Sequence, residues 1–224
     1  MGERIALATP GGKPFAAYHA TPGDARRGGL VVLHAIWGVT PHIREFCDGL
    51  AAQGYDVIAP SLLDGTNAFP EQNTDHLIAA QRLGMGESVG WGAGCLEVVQ
   101  AATDALDGPV YLLGFCFGGT TAWLAACRCE GLQAVACFYG GAIVQYADEQ
   151  PRCPTILHFG RSDETILPAD VATITATHPE LPTWLYDAGH AFVAPSGYHQ
   201  DSAKLAMLRT LQHFHRSGGS RGEV

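Results

Sequence analysis

The segment of the chain with the clearest capacity for chemistry is a cysteine set between glycines, Gly114-Phe-Cys-Phe-Gly-Gly119. The apolar residues 110–113 before it predict a strand, and residues 118–129 have the periodicity of a helix. A nucleophile on a sharp strand-to-helix turn adopts a strained backbone conformation, so its neighbours must be small. The helix N-terminus also favours the thiolate form of Cys116. We therefore predict that Cys116 is a catalytic nucleophile.

A cysteine nucleophile needs a base and an acid that orients the base. Hydrolases with this kind of turn carry the groups in the order nucleophile, acid, histidine, at the carboxyl ends of successive strands. Asp163 follows the apolar run 155–159, and His190 follows the run 183–186. We expect His190 to take the proton of the Cys116 thiol, and Asp163 to fix the tautomer and orientation of the imidazole.

Other acids and histidines fit these roles less well. Glu164 is adjacent to Asp163 but would point elsewhere, and Asp187 is too near His190 in the sequence to face it easily. His158 falls inside a predicted strand, where a core histidine with satisfied hydrogen bonds is the better interpretation.

Acyl transfer to a thiol also needs two backbone N–H donors for the oxyanion. One comes from the residue after the nucleophile, here Phe117, and the other from the loop after an early strand. The segment 34–39 follows the apolar strand residues 30–33 and contains a glycine, Gly38, that suits such a turn. Ile36 is our candidate for the second donor. Trp37 is either hydrophobic cover or a wall of the substrate pocket.

The elements that must position these residues alternate between short apolar runs and helical periodicities. This order is typical of a largely parallel sheet with helices on both faces. We predict a single α/β domain over residues 1–216, opening with an antiparallel hairpin, and a flexible tail over 217–224. The predicted strands are 4–8, 15–19, 30–34, 55–59, 110–113, 134–139, 155–159 and 183–186. The predicted helices are 41–53, 92–106, 118–129, 169–178 and 201–216. Residues 61–89 are interpreted as a long loop over the sheet edge.

Composition limits the partners of the chain. Its 224 residues are 47% apolar and 16% charged, which is globular, and the net charge of −9 repels nucleic acid. No apolar stretch approaches the roughly 20 residues of a membrane span, and the N-terminus lacks a signal peptide's apolar core. The seven cysteines include no CxxC pair, which argues against disulfides or a zinc site. We expect a cytoplasmic protein with a small-molecule substrate, no cofactor, no metal and no contact with nucleic acid or membrane. We expect a monomer, with a dimer left open.

Five motifs together resemble the dienelactone hydrolase family over essentially the whole chain. They are HAIWGV at 34–39, GFCFGG at 114–119, ACFYGG at 136–141, FGRSD at 159–163 and DAGHAF at 187–192. The resemblance implies a single-domain α/β-hydrolase that opens small enol-lactones or cleaves small esters through a Cys–His–Asp triad and an acyl-thiol intermediate. It implies the same triad and oxyanion donors as above, and it places Tyr139 in the pocket. We also assign Trp37 and Phe192 to the substrate pocket.

The chain departs from the family pattern at two positions. In well-studied members the first motif is QEIFGV, and its glutamate interacts with the resting thiol, whereas this chain has Ala35 there. Such members also carry an arginine four residues after the catalytic histidine to hold a substrate carboxylate, whereas this chain has Ala194. Arg82 or Arg161 is a candidate to hold a substrate carboxylate in place of that arginine. The departures leave the substrate open.

Two other classes of function compete with hydrolysis. A ligand-binding protein on a hydrolase fold would have no need of all three triad groups. A redox-active thiol protein would use Cys116 but lacks a resolving cysteine at CxxC spacing, although Cys47, Cys95 or Cys137 could approach it in space. The order of the three triad residues favours hydrolysis of an ester or lactone.

Overall fold

Eight strands form one sheet in the order β1-β2-β4-β3-β5-β6-β7-β8 in the computed structural model, which describes residues 1–23, 26–62, 69–70 and 93–218. The strands are β1 (Glu3–Ala8), β2 (Pro14–Ala20), β3 (Gly28–Leu33), β4 (Tyr55–Pro60), β5 (Val110–Phe115), β6 (Leu132–Phe138), β7 (Thr155–Gly160) and β8 (Thr183–Tyr186). The described helices are α1 (Pro41–Ala51), α2 (Ala93–Asp104), α3 (Phe117–Arg128), α4 (Pro168–Thr177) and α5 (Gln200–Ser217), with a short 3-10 helix at Ile143–Tyr146.

The sheet is parallel from β4 through β8 in spatial order and antiparallel at one edge. β1 pairs with β2 and β2 with β4 in antiparallel register, while every other neighbouring pair is parallel. The strands β3, β5 and β7 are buried along their whole length. Strands covered on both faces are continuously apolar, which explains the short apolar runs in the sequence. The predicted α/β-hydrolase architecture and its N-terminal hairpin are confirmed.

Each strand and helix predicted from the sequence occurs within two residues of its expected ends. The 3-10 helix at Ile143–Tyr146 was not predicted, because one turn has no periodicity to detect. The last helix continues to Ser217, the first residue of the predicted tail, and residues 219–224 lie outside the described residues. Most of the predicted loop 61–89 also lies outside them. Among the described helices, none is both long enough and apolar enough to cross a bilayer.

The parallel strands bring the ends of distant segments to one edge of the sheet. Leu33 pairs with Gly114, Phe115 with Phe138, Phe138 with His158, and Gly160 with Tyr186. The residues that follow β3, β5, β6, β7 and β8 therefore meet at the carboxyl edge. In open α/β sheets this edge is where ligands bind.

Candidate active site

Cys116 occupies a strained turn between β5 and α3. Its backbone has φ 54° and ψ −111°, a conformation that few non-glycine residues adopt. The Cys116 N–H donates to the Phe138 carbonyl at 2.9 Å, and the Gly118 N–H donates to the His34 carbonyl at 3.1 Å. These bonds fix the turn against the two neighbouring strands and leave the thiol half-buried.

The glycines around Cys116 are required by close backbone contacts. A Cβ atom on Gly114 would lie 2.0 Å from the Gly118 carbonyl oxygen, and one on Gly118 would lie 2.5 Å from the Leu33 carbonyl oxygen. Backbone atoms cannot move aside as a side chain can, so a larger residue at either position would displace the turn. The spacing of small residues recognised in the sequence is therefore a packing requirement.

The loops after β7 and β8 bring Asp163 and His190 together. The His190 Nδ1 atom lies 2.7 Å from the Asp163 Oδ2 atom. The Asp163 side chain is 1% exposed, whereas the His190 side chain is 26% exposed. Because Nδ1 is hydrogen-bonded to the carboxylate, Nε2 is the ring nitrogen left to interact with Cys116, which raises the pKa of His190.

Thr165 holds the second carboxylate oxygen of Asp163 and was missed by the sequence analysis. Asp163 Oδ1 accepts from the Thr165 N–H at 2.8 Å, from the Thr165 hydroxyl at 2.7 Å and from the Ile166 N–H at 3.1 Å. An aspartate that bonds the backbone two residues on forms an Asx turn, and Asp-x-Thr is a sequence signal for it. Three donors on Oδ1 leave Oδ2 aimed at His190.

The charges of Asp163 and His190 depend on each other. Burial on its own would lower the pKa of His190, but the hydrogen bond to Asp163 and the interaction with Cys116 outweigh it and raise that pKa to about 10. Burial on its own would raise the pKa of Asp163, but the hydrogen bonds from His190 and Thr165 outweigh it and lower that pKa below its usual value. The pair is therefore poised as carboxylate and imidazolium at neutral pH.

Backbone strain among the described residues is concentrated at this site. The non-glycine residues with positive φ are Cys116 at 54°, Tyr139 at 39° and Ala191 at 56°. Cys116 follows β5, Tyr139 follows β6, and Ala191 follows His190. Strained residues persist only where their surroundings hold them, and they cluster at functional sites.

The residues expected to form the oxyanion hole flank Cys116 on two elements. Phe117 is the first residue of α3, directly after the nucleophile, and is buried. Ile36 and Trp37 lie half-buried in the loop after β3. Gly38 closes this loop with φ 85°, and its N–H donates to the Ala35 carbonyl at 3.2 Å.

The two other residues assigned to the substrate pocket lie beneath the site. The Tyr139 ring meets the His190 ring edge-on at 5.0 Å between centroids, and its side chain is 1% exposed. Its hydroxyl is buried without a well-formed hydrogen bond among the described residues, the Val193 N–H interacting with it only weakly. Phe192 has no exposed surface and packs against Tyr139 at 5.3 Å. It supports the Tyr139 ring from the core.

The alternative acids and arginines lie elsewhere. Glu164 is exposed, and Asp187 pairs with Arg161 at 3.2 Å on the surface, where both side chains are mostly exposed. Arg82 lies outside the described residues. His158 is confirmed as a core histidine, with Nδ1 2.8 Å from the Tyr186 hydroxyl and Nε2 3.0 Å from the Thr210 hydroxyl. In the described part of the chain, no three potential metal ligands cluster together.

The remaining thiols differ from Cys116 in their surroundings. All seven cysteines are free, and Cys47, Cys127, Cys129 and Cys137 are buried. Burial raises the pKa of Cys127 to about 12 and that of Cys129 to about 11, and it raises the pKa of Cys137 well above its usual value. Thiols held neutral in this way are poor nucleophiles.

Comparison with known proteins agrees with this architecture. Residues 15–218 match the model of the dienelactone hydrolase family. A carboxymethylenebutenolidase of Pseudomonas putida is 30% identical, the match covering 94% of this chain and 95% of that protein. A candidate carboxymethylenebutenolidase of Salmonella typhimurium is also 30% identical, over 94% of this chain and 86% of its own length.

A solved structure extends the comparison to three dimensions. A candidate dienelactone hydrolase from Klebsiella pneumoniae superposes with a TM-score of 0.72 at 26% identity, covering 96% of this chain and 99% of that one. The sequence match spans nearly the whole described sheet and all its helices, so the likeness is not confined to one motif. The chain belongs to the dienelactone hydrolase family and is a carboxylic ester hydrolase with the α/β-hydrolase fold.

Proposed function

We propose that the chain hydrolyses a small ester or lactone through an acyl-thiol intermediate on Cys116, with His190 and Asp163 completing a triad. The observation that carries the proposal is the hydrogen bond between Asp163 and His190, together with the effect of Cys116, on its strained turn at the carboxyl edge of the sheet, on the pKa of His190. A thiolate is the reactive form of cysteine, and an imidazolium partner stabilises it.

The reaction has two steps. In the first, the Cys116 sulfur attacks the carbonyl carbon, the acyl–oxygen bond breaks, and the proton on His190 Nε2 passes to the departing alkoxide. In the second, His190 Nε2 takes a proton from water, the water oxygen attacks the thioester, and the carbon–sulfur bond breaks. Asp163 keeps Nδ1 protonated throughout and holds the ring in place. A lactone ring would leave its alkoxide attached to the acyl group.

The oxyanion that forms in both steps needs two donors. We assign them to the backbone N–H groups of Ile36 and Phe117, which belong to the loop after β3 and the start of α3. Preorganised donors of this kind typically contribute about 10²–10³ in rate each. Trp37 is the side chain that we assign to the wall of the pocket, and Tyr139 lies beneath the site against the His190 ring.

The class of substrate is narrowed by the surroundings of the site. The name carboxymethylenebutenolidase, which several relatives carry, gives a butenolide, a lactone, as their substrate, and an ester or lactone carbonyl suits the proposed triad equally. This chain has Ala194 where an arginine would hold a substrate carboxylate, and Arg161 is paired with Asp187 at the surface. We therefore propose that Arg161 does not hold a substrate carboxylate. Arg82 is the remaining candidate for binding such a group.

Substitution of the nucleophile tests the proposal. Cys116→Ala should lower kcat/KM for p-nitrophenyl acetate and for small lactones by at least about 10³, because the covalent route is lost. Cys127→Ala is the matched control, because it removes a buried thiol from α3, the helix that follows Cys116. Its turnover should stay within about twofold of wild type. Circular dichroism should show the same fold in all three proteins. Substantial turnover by the Cys116→Ala protein would overturn the proposal.

A further inference from the structure

His34 is a fully buried histidine beside the site that the triad does not use. It directly follows β3, and its relative exposure is 0%. The Nδ1 atom lies 2.5 Å from the Ala35 carbonyl oxygen, and the Leu62 N–H donates to Nε2 at 3.0 Å. Because an amide N–H only donates, Nε2 must be the unprotonated nitrogen, and the neutral ring carries its proton on Nδ1. The Nδ1–H group therefore donates to the Ala35 carbonyl.

These hydrogen bonds fix the orientation of one peptide group. The Ala35 carbonyl accepts from His34 Nδ1 and from the Gly38 N–H at 3.2 Å. The peptide that joins Ala35 to Ile36 is trans and planar, so its N–H points away from its carbonyl. Any group that holds the Ala35 carbonyl therefore also aims the Ile36 N–H.

The backbone of His34 connects the same loop to the nucleophile turn. Its carbonyl accepts the Gly118 N–H at 3.1 Å, and a Cβ on Gly118 would lie 2.6 Å from that oxygen. One residue thus contacts the turn of Cys116 through its backbone and the Ile36 peptide through its side chain. On the far side, its ring is held by Leu62, whose carbonyl accepts from the Cys95 thiol at 3.6 Å.

We propose that His34 is a positioning residue of the oxyanion hole, whose Nδ1–H holds the Ala35–Ile36 peptide so that the Ile36 N–H faces the acyl oxygen on Cys116. The assignment rests on the proposed function, since it requires acyl transfer to Cys116. In this role His34 acts through the Ala35–Ile36 peptide and not by contact with the substrate. Its effect is confined to steps in which negative charge develops on a carbonyl oxygen.

Two reactions of the same thiol separate this role from a structural one. Acylation of Cys116 by an activated ester passes through an oxyanion, whereas alkylation by iodoacetamide is a direct displacement at carbon and forms none. Loss of the His34 bond should therefore slow acylation and leave alkylation unchanged. General damage to the triad or the turn would slow both reactions.

The test compares His34→Leu and His34→Gln with wild type, with His34→Met as a second apolar replacement should leucine prevent folding. Burst-phase kinetics with p-nitrophenyl acetate measure acylation, and iodoacetamide labelling measures alkylation. The apolar variants should acylate about ten- to a hundredfold more slowly, with KM within about threefold and alkylation within about twofold of wild type. The glutamine amide can donate to Ala35 and accept from Leu62, so His34→Gln should recover most of the acylation rate.

His158→Leu is the matched control. His158 is equally buried and is also bonded at both ring nitrogens, but its partners Tyr186 and Thr210 lie away from the oxyanion loop. This variant should lower Tm while the folded protein keeps both rates.

Three outcomes would overturn the assignment. The first is an apolar His34 variant that acylates at the wild-type rate. The second is an equal fall in acylation and alkylation in folded protein. The third is a folded His34→Gln protein that acylates no faster than the apolar variants. Wild-type protein that turns over the ester with no adduct on Cys116 would instead overturn the proposed function, and this assignment with it.

Discussion

Ala35 lies half-buried in the loop after β3, next to His34, whose carbonyl contacts the turn of Cys116. A carboxylate at this position would disfavour a neighbouring thiolate and accept the thiol proton. Alanine does neither, so no charge at position 35 opposes a thiolate on Cys116. A resting thiolate reacts with many activated esters, and it is also open to oxidation.

Restoring a carboxylate should therefore protect the thiol. We predict that Ala35→Glu slows inactivation by dilute hydrogen peroxide and moves the iodoacetamide profile of Cys116 to higher pH. The control is Ala35→Gln, which introduces a side chain of the same shape as glutamate but without its charge. This variant should behave like wild type. Identical alkylation profiles for the glutamate variant and wild type, measured from pH 5 to 10, would show that residue 35 does not control the thiol.

The raised pKa of His190 predicts the basic limb of the profile of kcat/KM against pH. The imidazolium is the proton donor to the leaving group, so kcat/KM should fall as pH rises through about 10. Asp163→Asn removes the hydrogen bond that most raises this pKa, so its basic limb should lie at lower pH. Its kcat should fall by about 10²–10⁴, because the ring is held in the wrong tautomer. A variant with an unmoved limb and normal kcat, measured from pH 6 to 11, would point to another acid.

Thr165 should tune the triad without being essential. Thr165→Val removes the hydroxyl that donates to Asp163 Oδ1 at 2.7 Å and lies 3.0 Å from His190 Nδ1, but keeps the two backbone donors. A hydrogen bond to a charged group contributes about 1.5–3 kcal/mol. Because two backbone donors still hold Asp163 Oδ1, we expect only part of this in the barrier, and kcat should fall about three- to tenfold. Thr165→Ser retains the hydroxyl and should restore the rate. Equal rates for valine and serine variants would show that the hydroxyl has no role.

At the scale of elements, a buried hydrogen-bond network connects the strands β7 and β8 and the helix α5. His158 on β7 bonds Tyr186 on β8 and Thr210 on α5, and its ring stacks on Phe138 at 4.4 Å. Since the Thr210 hydroxyl also donates to the Ala206 carbonyl, it accepts from His158 Nε2–H, and Nδ1 accepts from Tyr186. Both nitrogens are satisfied only in the neutral ring.

This network makes stability depend on pH. Burial lowers the pKa of His158 to about 3, whereas in the unfolded chain it is about 6.5. Between these values the unfolded chain binds the extra proton, so the free energy of unfolding should fall as pH drops below 6.5, by up to about 1.4 kcal/mol per pH unit. Urea titrations of wild type and His158→Leu from pH 7.5 to 5 measure the difference. The variant should be less stable at pH 7.5 but show a shallower slope; parallel slopes would contradict the assignment.

The elements that the sequence predicted are those with strong local signals. Apolar runs, glycines and helical periodicity marked every strand and helix now described, because burial on both faces of a parallel sheet leaves such runs. The order β1-β2-β4-β3-β5-β6-β7-β8 was not predicted in detail, since it depends on crossovers between distant segments. Thr165 and His34 were also missed, because their roles depend on backbone groups that only the fold brings near.

Phe192 shows that the lining of the substrate pocket could not be predicted from the sequence either. Its place in the motif with His190 suggested contact with the substrate, yet the structure gives it no exposed surface. Nearness in sequence does not fix which side of a loop faces the site, and Ala191, between the two residues, has the left-handed φ of 56°. The acid, base and nucleophile were predictable because their order along the chain follows from the order of the strands.

At the scale of the whole molecule, the fold buries four of the seven thiols in the core and places one beside the candidate base. Cys47, Cys127, Cys129 and Cys137 are buried in the core, whereas Cys116 is half-buried at the carboxyl edge of the sheet beside His190. A redox protein would need a second thiol of similar reactivity, and burial raises the pKa of these four thiols away from that range. Hydrolysis through an acyl-thiol intermediate needs only one reactive thiol.

The acyl-thiol intermediate is therefore the most direct target for measurement. Intact protein is exposed briefly to p-nitrophenyl acetate or a panel of small lactones, quenched in acid and weighed by mass spectrometry, with peptide mapping to locate any adduct. Asp163→Asn, in which deacylation should be slow, provides the longer-lived sample. We predict one acyl group per chain, on Cys116, and none on the Cys116→Ala protein. Turnover without any adduct, or an adduct on another residue that survives in Cys116→Ala, would contradict a cysteine nucleophile.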